Sequence, residues 1–177
     1  GHRRYEACKH LGITDIPVIV RDLTDEEAIL TMVDANLQRE RILPSEKAFA
    51  YKMKMDVLRH QGSSCQDGTK RSDEALAEGT DDSPRQIQRY IRLTYLIPEI
   101  LRLVDEGRIA FTPAVELSFL PLEEQHEVYR FYENEEVTPS YSQTVRMKKL
   151  HTEGMLTSDR ISEIMAEAKA NQKDFLK

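Results

Sequence analysis

The 177-residue sequence predicts a mainly α-helical chain in two parts: a small, truncated α/β segment, then an all-α part. Three observations carry this. Only Ile16–Leu23 (IPVIVRDL) is short and β-branched enough to read as a buried strand. Almost everything else has apolar residues at helical spacing between ordinary start and stop residues. Gln61 to Arg71 (QGSSCQDGTKR), polar and without periodicity, divides the two parts as a linker. A single strand makes no sheet, so the first part has lost or borrows its pairing partners.

Taken in order, Arg3 to Leu11 is helix-compatible and closes at Gly12. After the strand, Thr24-Asp-Glu-Glu27 is a capping box, in which the Thr hydroxyl and the Glu carboxylate each satisfy a backbone N–H of the other. Its helix runs to about Arg39. Pro44-Ser-Glu46 opens another, with Ala48, Tyr51, Met55 and Leu58 as its apolar stripe. Beyond the linker, Ser72 caps a helix Asp73–Glu78. Ser83-Pro84, Ile97-Pro98, Thr112-Pro113 and Thr138-Pro139 set Pro at or near further starts, and Gly107 and Gly154 are stops. The resulting organisation is 1–60, a linker 61–71, a second domain 72–135 and C-terminal helices 136–177.

Composition excludes several classes. No apolar run approaches the roughly 18–20 residues of a membrane span, and none reads as a secretory leader. The chain opens at Gly1-His2-Arg3-Arg4 without a methionine and closes in a helix-like stretch, so it reads as an excised piece of a longer protein. Cys8 and Cys65 suggest no disulfide framework, which makes a reducing cytoplasm the expected compartment. Together with His10, His60, His126 and His151 they form no metal-ligand spacing. The acids from Glu133 to Glu136 read as a solvated turn. A net charge of −6 argues against whole-surface nucleic-acid binding. Its distribution is more telling, because Ser83 to Ile97 contains Arg85, Arg89 and Arg92 and no acid.

Two short elements have phosphate-binding chemistry. Gly1-His-Arg-Arg4 places a glycine, first-turn amides and two guanidiniums where an anion can be clamped. Asn36-Leu-Gln-Arg39 ends a helix with a residue able to ligate Mg²⁺ and another able to grip phosphate. Read alone, each is a turn or a helix end whose arginines complement the dipole.

Together they resemble a family. GHRRYEA is similar to the GERRxRA box of ParB/RepB-type partition proteins, and DANLQRERILPSEKAFAY to their ENLQREDLNPIEEAxAY stretch. The strand and capping box between them match in order and spacing. The resemblance covers about residues 1–120, and the tail from Thr138 is similar to shorter partition-like proteins of mobile elements. It implies a nucleotide-switch segment that binds CTP with Mg²⁺ and closes a clamp of two protomers around DNA. Gly1, Arg3, Arg4, Asn36 and Arg39 match the nucleotide-binding positions, with Asn36 toward the metal. Two carboxylates of the pattern are missing: His2 stands for one, and Ala35 for the other, with Asp34 one residue earlier. Their loss implies phosphate binding with weak or absent CTP hydrolysis.

The second domain reads as a helix-turn-helix. Ala77 is the small residue needed where two helices cross, and Ile87 lies ten residues on as the branched residue that locks the second helix. Asp81 stands where a glycine is common, and Asp tolerates a left-handed turn residue. In the recognition helix after Ser83-Pro84, Ile87, Ile91 and Thr94 fall on the buried side. Arg85, Gln88, Arg89 and Arg92 fall on the opposite stripe, with Gln86 near the exposed N-terminal end. Arg and Gln suit bidentate contacts with guanine and adenine. These five residues are the expected DNA contacts, and the helices after them the supporting bundle.

The expectation is therefore a sequence-specific, nucleoid-associated partition protein. Its partners would be double-stranded DNA, a ParA-type ATPase and, in full length, a second copy. Rival readings are an enzyme similar to sulfiredoxin or to ParB-like nucleases, with Cys8 four residues beyond Arg4, a mobile-element transcriptional regulator, or a helical adaptor.

Overall fold

Caps and glycines set the helix ends, and apolar stripes set their burial. The computed structural model of the chain describes residues 2–38, 42–62, 76–77 and 80–167. These form α1 (His2–His10), α2 (Asp25–Leu37), α3 (Pro44–Gly62), α4 (Pro84–Leu93), α5 (Pro98–Asp105), α6 (Phe111–Leu117), α7 (Leu122–Glu135), α8 (Tyr141–Thr152) and α9 (Ser158–Ala166). Leu76 and Ala77 are also helical. The chain is mainly α, as the sequence predicts, and the described residues contain no strand.

The local signals hold where they can be read. Thr24 and Glu27 form the reciprocal capping box, with Thr24 N donating to Glu27 Oε2 at 2.9 Å. Gly12, Gly107 and Gly154 all take the left-handed conformation that ends a helix and that a side chain resists. Ala48, Tyr51 and Met55 of the α3 stripe are buried and Leu58 is half-buried.

Four expectations are corrected. Ile16–Leu23 forms no strand and pairs with none among the described residues: Val18, Ile19 and Val20 are 74, 84 and 89% exposed. β-branched residues favour an extended backbone, but a ladder needs a second strand, and none lies among the described residues. Glu133 to Glu135 continue α7, and the stop falls at Glu136, which takes the left-handed conformation itself. Asp81 has no positive φ, so the turn before α4 does not bend through it. Gln61 and Gly62, expected in the linker, continue α3; the rest of the linker to Arg71, with Cys65, lies outside the described residues, as do the Ser72 cap and most of its helix.

Two apolar clusters organise the rest. The larger joins Ala48 of α3 and Leu93 of α4 to Ile100, Leu117, Val128, Met147 and Ile161, one from each of α5 to α9. The smaller joins Tyr51 and Met55 of α3 to Leu76, Ile87 and Ile91, with Leu37 and Ala77 partly buried against it. Helix α3 thus contributes to both cores and packs against α2, α4 and α5.

Polar contacts fix α3 further. Asp105 at the end of α5 accepts from Ser45 N at 2.9 Å and from Ser45 Oγ, closing the amide end of α3 with a carboxylate. Buried Gln125 accepts from Ile97 N and donates to the carbonyls of Tyr95 and Leu120, so the turn after α4 is pinned to α7 with every amide atom used.

Candidate nucleic-acid interface

Helix α4 begins as its sequence dictates. Ser83 Oγ accepts from Gln86 N at 3.3 Å, and Pro84 occupies the first turn, where its missing N–H costs nothing. Ile87, Ile91 and Leu93 are buried. Ala77 and Ile87 belong to the same cluster, so the small-then-branched spacing does bring two helical segments together.

The turn before α4 is held from α3. Asp82 accepts from the Tyr51 hydroxyl and pairs with Lys47, whose ammonium lies 4.8 Å from the centre of the Tyr90 ring. Burial, reinforced by the Asp82 carboxylate, pushes the Tyr51 phenol well above its ordinary range, so it stays protonated and donates at any physiological pH. Thr80 donates to the Ala77 carbonyl and closes the same turn. Lys47, Tyr51 and Asp82 set where α4 starts. Sequence reading missed them, because each pairs with a residue dozens of positions away and no local spacing marks it.

The five expected contact residues fall in two groups. Arg85 and Gln88 are exposed, and Gln86 and Arg89 are half-buried. Arg89 Nη1 donates to Gln86 Oε1 at 3.2 Å and Nη2 donates to Thr112 Oγ1 at 2.9 Å, with the guanidinium 5.0 Å from the Phe111 ring centre. Arg92 is used differently. It donates to Ser118 Oγ and to the Ser118 carbonyl at the end of α6, and its guanidinium lies 4.6 and 4.0 Å from the ring centres of Tyr95 and Phe119. Burial holds its pKa below the ordinary arginine value, although Tyr95 opposes the shift. It clasps α4 to α6 as a cation against two aromatic rings.

The expected nucleotide site is less assembled. Arg4 is exposed on α1, where every described side chain is exposed except half-buried Cys8. Gly1, Arg39 and the Arg3 side chain lie outside the described residues. Asn36 is half-buried and lines an apolar cavity of about 250 Å³ between α2 and α3, with Met32, Phe49 and Met53 among its walls and none of the described side chains of α1. Asp34, one turn from Gln38, accepts from Lys54 at 3.0 Å and ties α2 to α3. No group of three or more His, Cys, Asp or Glu side chains that could hold a metal occurs among the described residues.

Residues 1–37 match the model of the ParB N-terminal domain, which covers the first box and reaches Asn36. The chain is a relative of ParB-type partition proteins. It is 34% identical over 114 residues to a probable chromosome 1-partitioning protein ParB of Deinococcus radiodurans, covering 64% of this chain and 35% of that one. It is 32% identical over 125 residues to the chromosome-partitioning protein Spo0J of Thermus thermophilus, covering 71% and 42%. A nucleoid occlusion protein of Listeria innocua is 34% identical over 125 residues, covering 71% and 40%. The chain thus spans less than half the length of these relatives. Among solved structures, a C-terminally truncated chromosome-partitioning protein ParB from Caulobacter crescentus, complexed to the centromeric parS site, is 20% identical with a TM-score of 0.49, covering 95% of this chain and 73% of that one. Among the described residues, no helix is long and apolar enough to cross a membrane.

Proposed function

We propose that the chain binds a specific duplex DNA site through α4 and serves the segregation of a chromosome, plasmid or mobile element. One observation carries this. In a chain of net charge −6, α4 holds no acid, buries Ile87 and Ile91, and turns Arg85, Gln86, Gln88 and Arg89 toward its outer side. A rigid helix with a donor-rich outer face is what major-groove reading requires. Chromosome-partitioning and nucleoid occlusion relatives favour this class of role. Selection of bound sequences from a random duplex pool tests it, with the winners titrated at two salt concentrations. Enrichment of one motif, with affinity rising as salt falls, is the expected result. Binding that ignores sequence, or no binding, overturns it.

Its further partners would be a second copy of the chain and a ParA-type ATPase. The match over residues 1–37 supports a phosphate grip by Gly1, Arg3, Arg4 and Asn36, to which Arg39, two residues beyond the match, would add, with CTP and Mg²⁺ as the ligands. Calorimetry with CTP on a protein extended at its N-terminus should show binding weakened by Arg3→Ala and by Arg4→Ala. Indifference to every nucleotide refutes the grip. Hydrolysis should be weak or absent, because His2 and Ala35 replace the expected carboxylates and Lys54 engages Asp34. Phosphate release that vanishes in Asp34→Asn would contradict this.

A further inference from the structure

On the outer side of α4, one pair of side chains has already spent part of its hydrogen-bonding capacity. Arg89 donates from Nη1 to Gln86 and from Nη2 to Thr112. A guanidinium has donors only, so the Gln86 atom facing it must be the amide oxygen. That settles an orientation that amide side chains otherwise leave open. The Thr112 hydroxyl oxygen, held on α6, and the Phe111 ring fix the guanidinium in place from the far side.

What remains for a ligand is unequal. The Gln86 amide nitrogen keeps two N–H donors and Arg89 keeps three of its five, while the one amide oxygen has given one of its two lone pairs to a cation. Glutamine ordinarily reads adenine by accepting from its N6 amino group while donating to N7. Here that amino group would approach an oxygen whose neighbour, 3.2 Å away, is a guanidinium nitrogen. The N4 amino group of cytosine meets the same charge. Guanine instead offers two adjacent acceptors, N7 and O6, and thymine only O4.

We infer that Gln86 and Arg89 act as one donor-rich reader, its only acceptor shadowed by the guanidinium charge, that selects the major-groove edge of guanine, and that Thr112 is the residue that positions it. This rests on α4 being the DNA-reading helix. It makes Thr112, which has no charge and lies on another helix, a determinant of base preference.

The test is selection from a random duplex pool with the wild-type chain and with Gln86→Leu, Thr112→Val and Thr112→Ser. The position that Gln86→Leu renders indifferent should be guanine in the wild-type motif. Replacing that guanine by 7-deazaguanine, which lacks the N7 acceptor, should weaken binding about tenfold. Replacing it by hypoxanthine, which keeps N7 and O6, should change nothing. Thr112→Val should relax the guanine preference without lowering the melting temperature by more than a few degrees, and Thr112→Ser should keep it. Adenine at that position, or indifference to 7-deazaguanine, overturns the reader while α4 remains a DNA-binding helix. A pool in which no motif is enriched removes the proposed function, and the reader with it.

Discussion

Residues 4–38 and residues 84–166 obey the same local rules and end in opposite states. The capping box at Thr24 is as complete as the one at Ser140, and Gly12 ends its helix as Gly154 does. Yet among residues 4–38 only Val33 is buried, whereas each helix from α4 to α9 places several side chains in a core. Capping and backbone preference fix where an element begins and stops. Burial needs a complementary face elsewhere, and the described residues supply one for α4 to α9 but not for α1 or Ile16–Leu23.

The sharpest way to break this comparison is truncation of apolar side chains in both regions. Leu117→Ala, at a fully buried site, should cost about 2–5 kcal/mol of stability, read by thermal or denaturant unfolding. Ile19→Ala should fall within about 0.5 kcal/mol of wild type. A large loss at Ile19 would show that Ile16–Leu23 is covered in solution.

A smaller effect sharpens the account of how α4 is seated. Asp82→Ala leaves the buried Tyr51 hydroxyl and the Lys47 ammonium without their shared acceptor, at a cost of about 1–3 kcal/mol. Because Asp82 borders the start of α4, loss of DNA affinity should accompany the loss of stability. Normal stability would mean that water replaces the carboxylate at no cost.

The smallest effects are at the caps. Thr24→Ala removes one hydrogen bond from an exposed helix start and should cost about 1 kcal/mol of α2 stability, read by hydrogen exchange of its first-turn amides. Ser45→Ala removes only the hydroxyl bond and leaves the Ser45 amide donating to Asp105, so its effect should be similar or less.

The sequence made these elements legible to the degree that their causes are local. Ser83-Pro84 located the start of α4, and the Ile87–Ile91 spacing located its buried side. Arg92 shows where local reasoning stops. Seven residues bring a helix back to within about 20° of the same direction, so Arg92 shares a stripe with Arg85. The stripe gives a direction and not a neighbour: at the height of Arg92 lie the Ser118 carbonyl and two aromatic rings, and the side chain is drawn onto them. Asp82, Asp105 and Thr112 were missed for the related reason that their partners are 23 to 60 residues away. The strand at Ile16–Leu23 was over-read, because β-branched composition reports a backbone preference and cannot supply a pairing partner.

The most direct test of α4 as a reading helix is a comparison of Arg89→Ala with wild type on two duplexes, the selected site and a random sequence of equal length. Measured by fluorescence anisotropy at one salt concentration, the substitution should cost about 1–3 kcal/mol on the selected site and little on the random one. Equal losses on both duplexes would reduce Arg89 to a phosphate contact, and unchanged affinity for both would remove α4 from the interface and contradict the account.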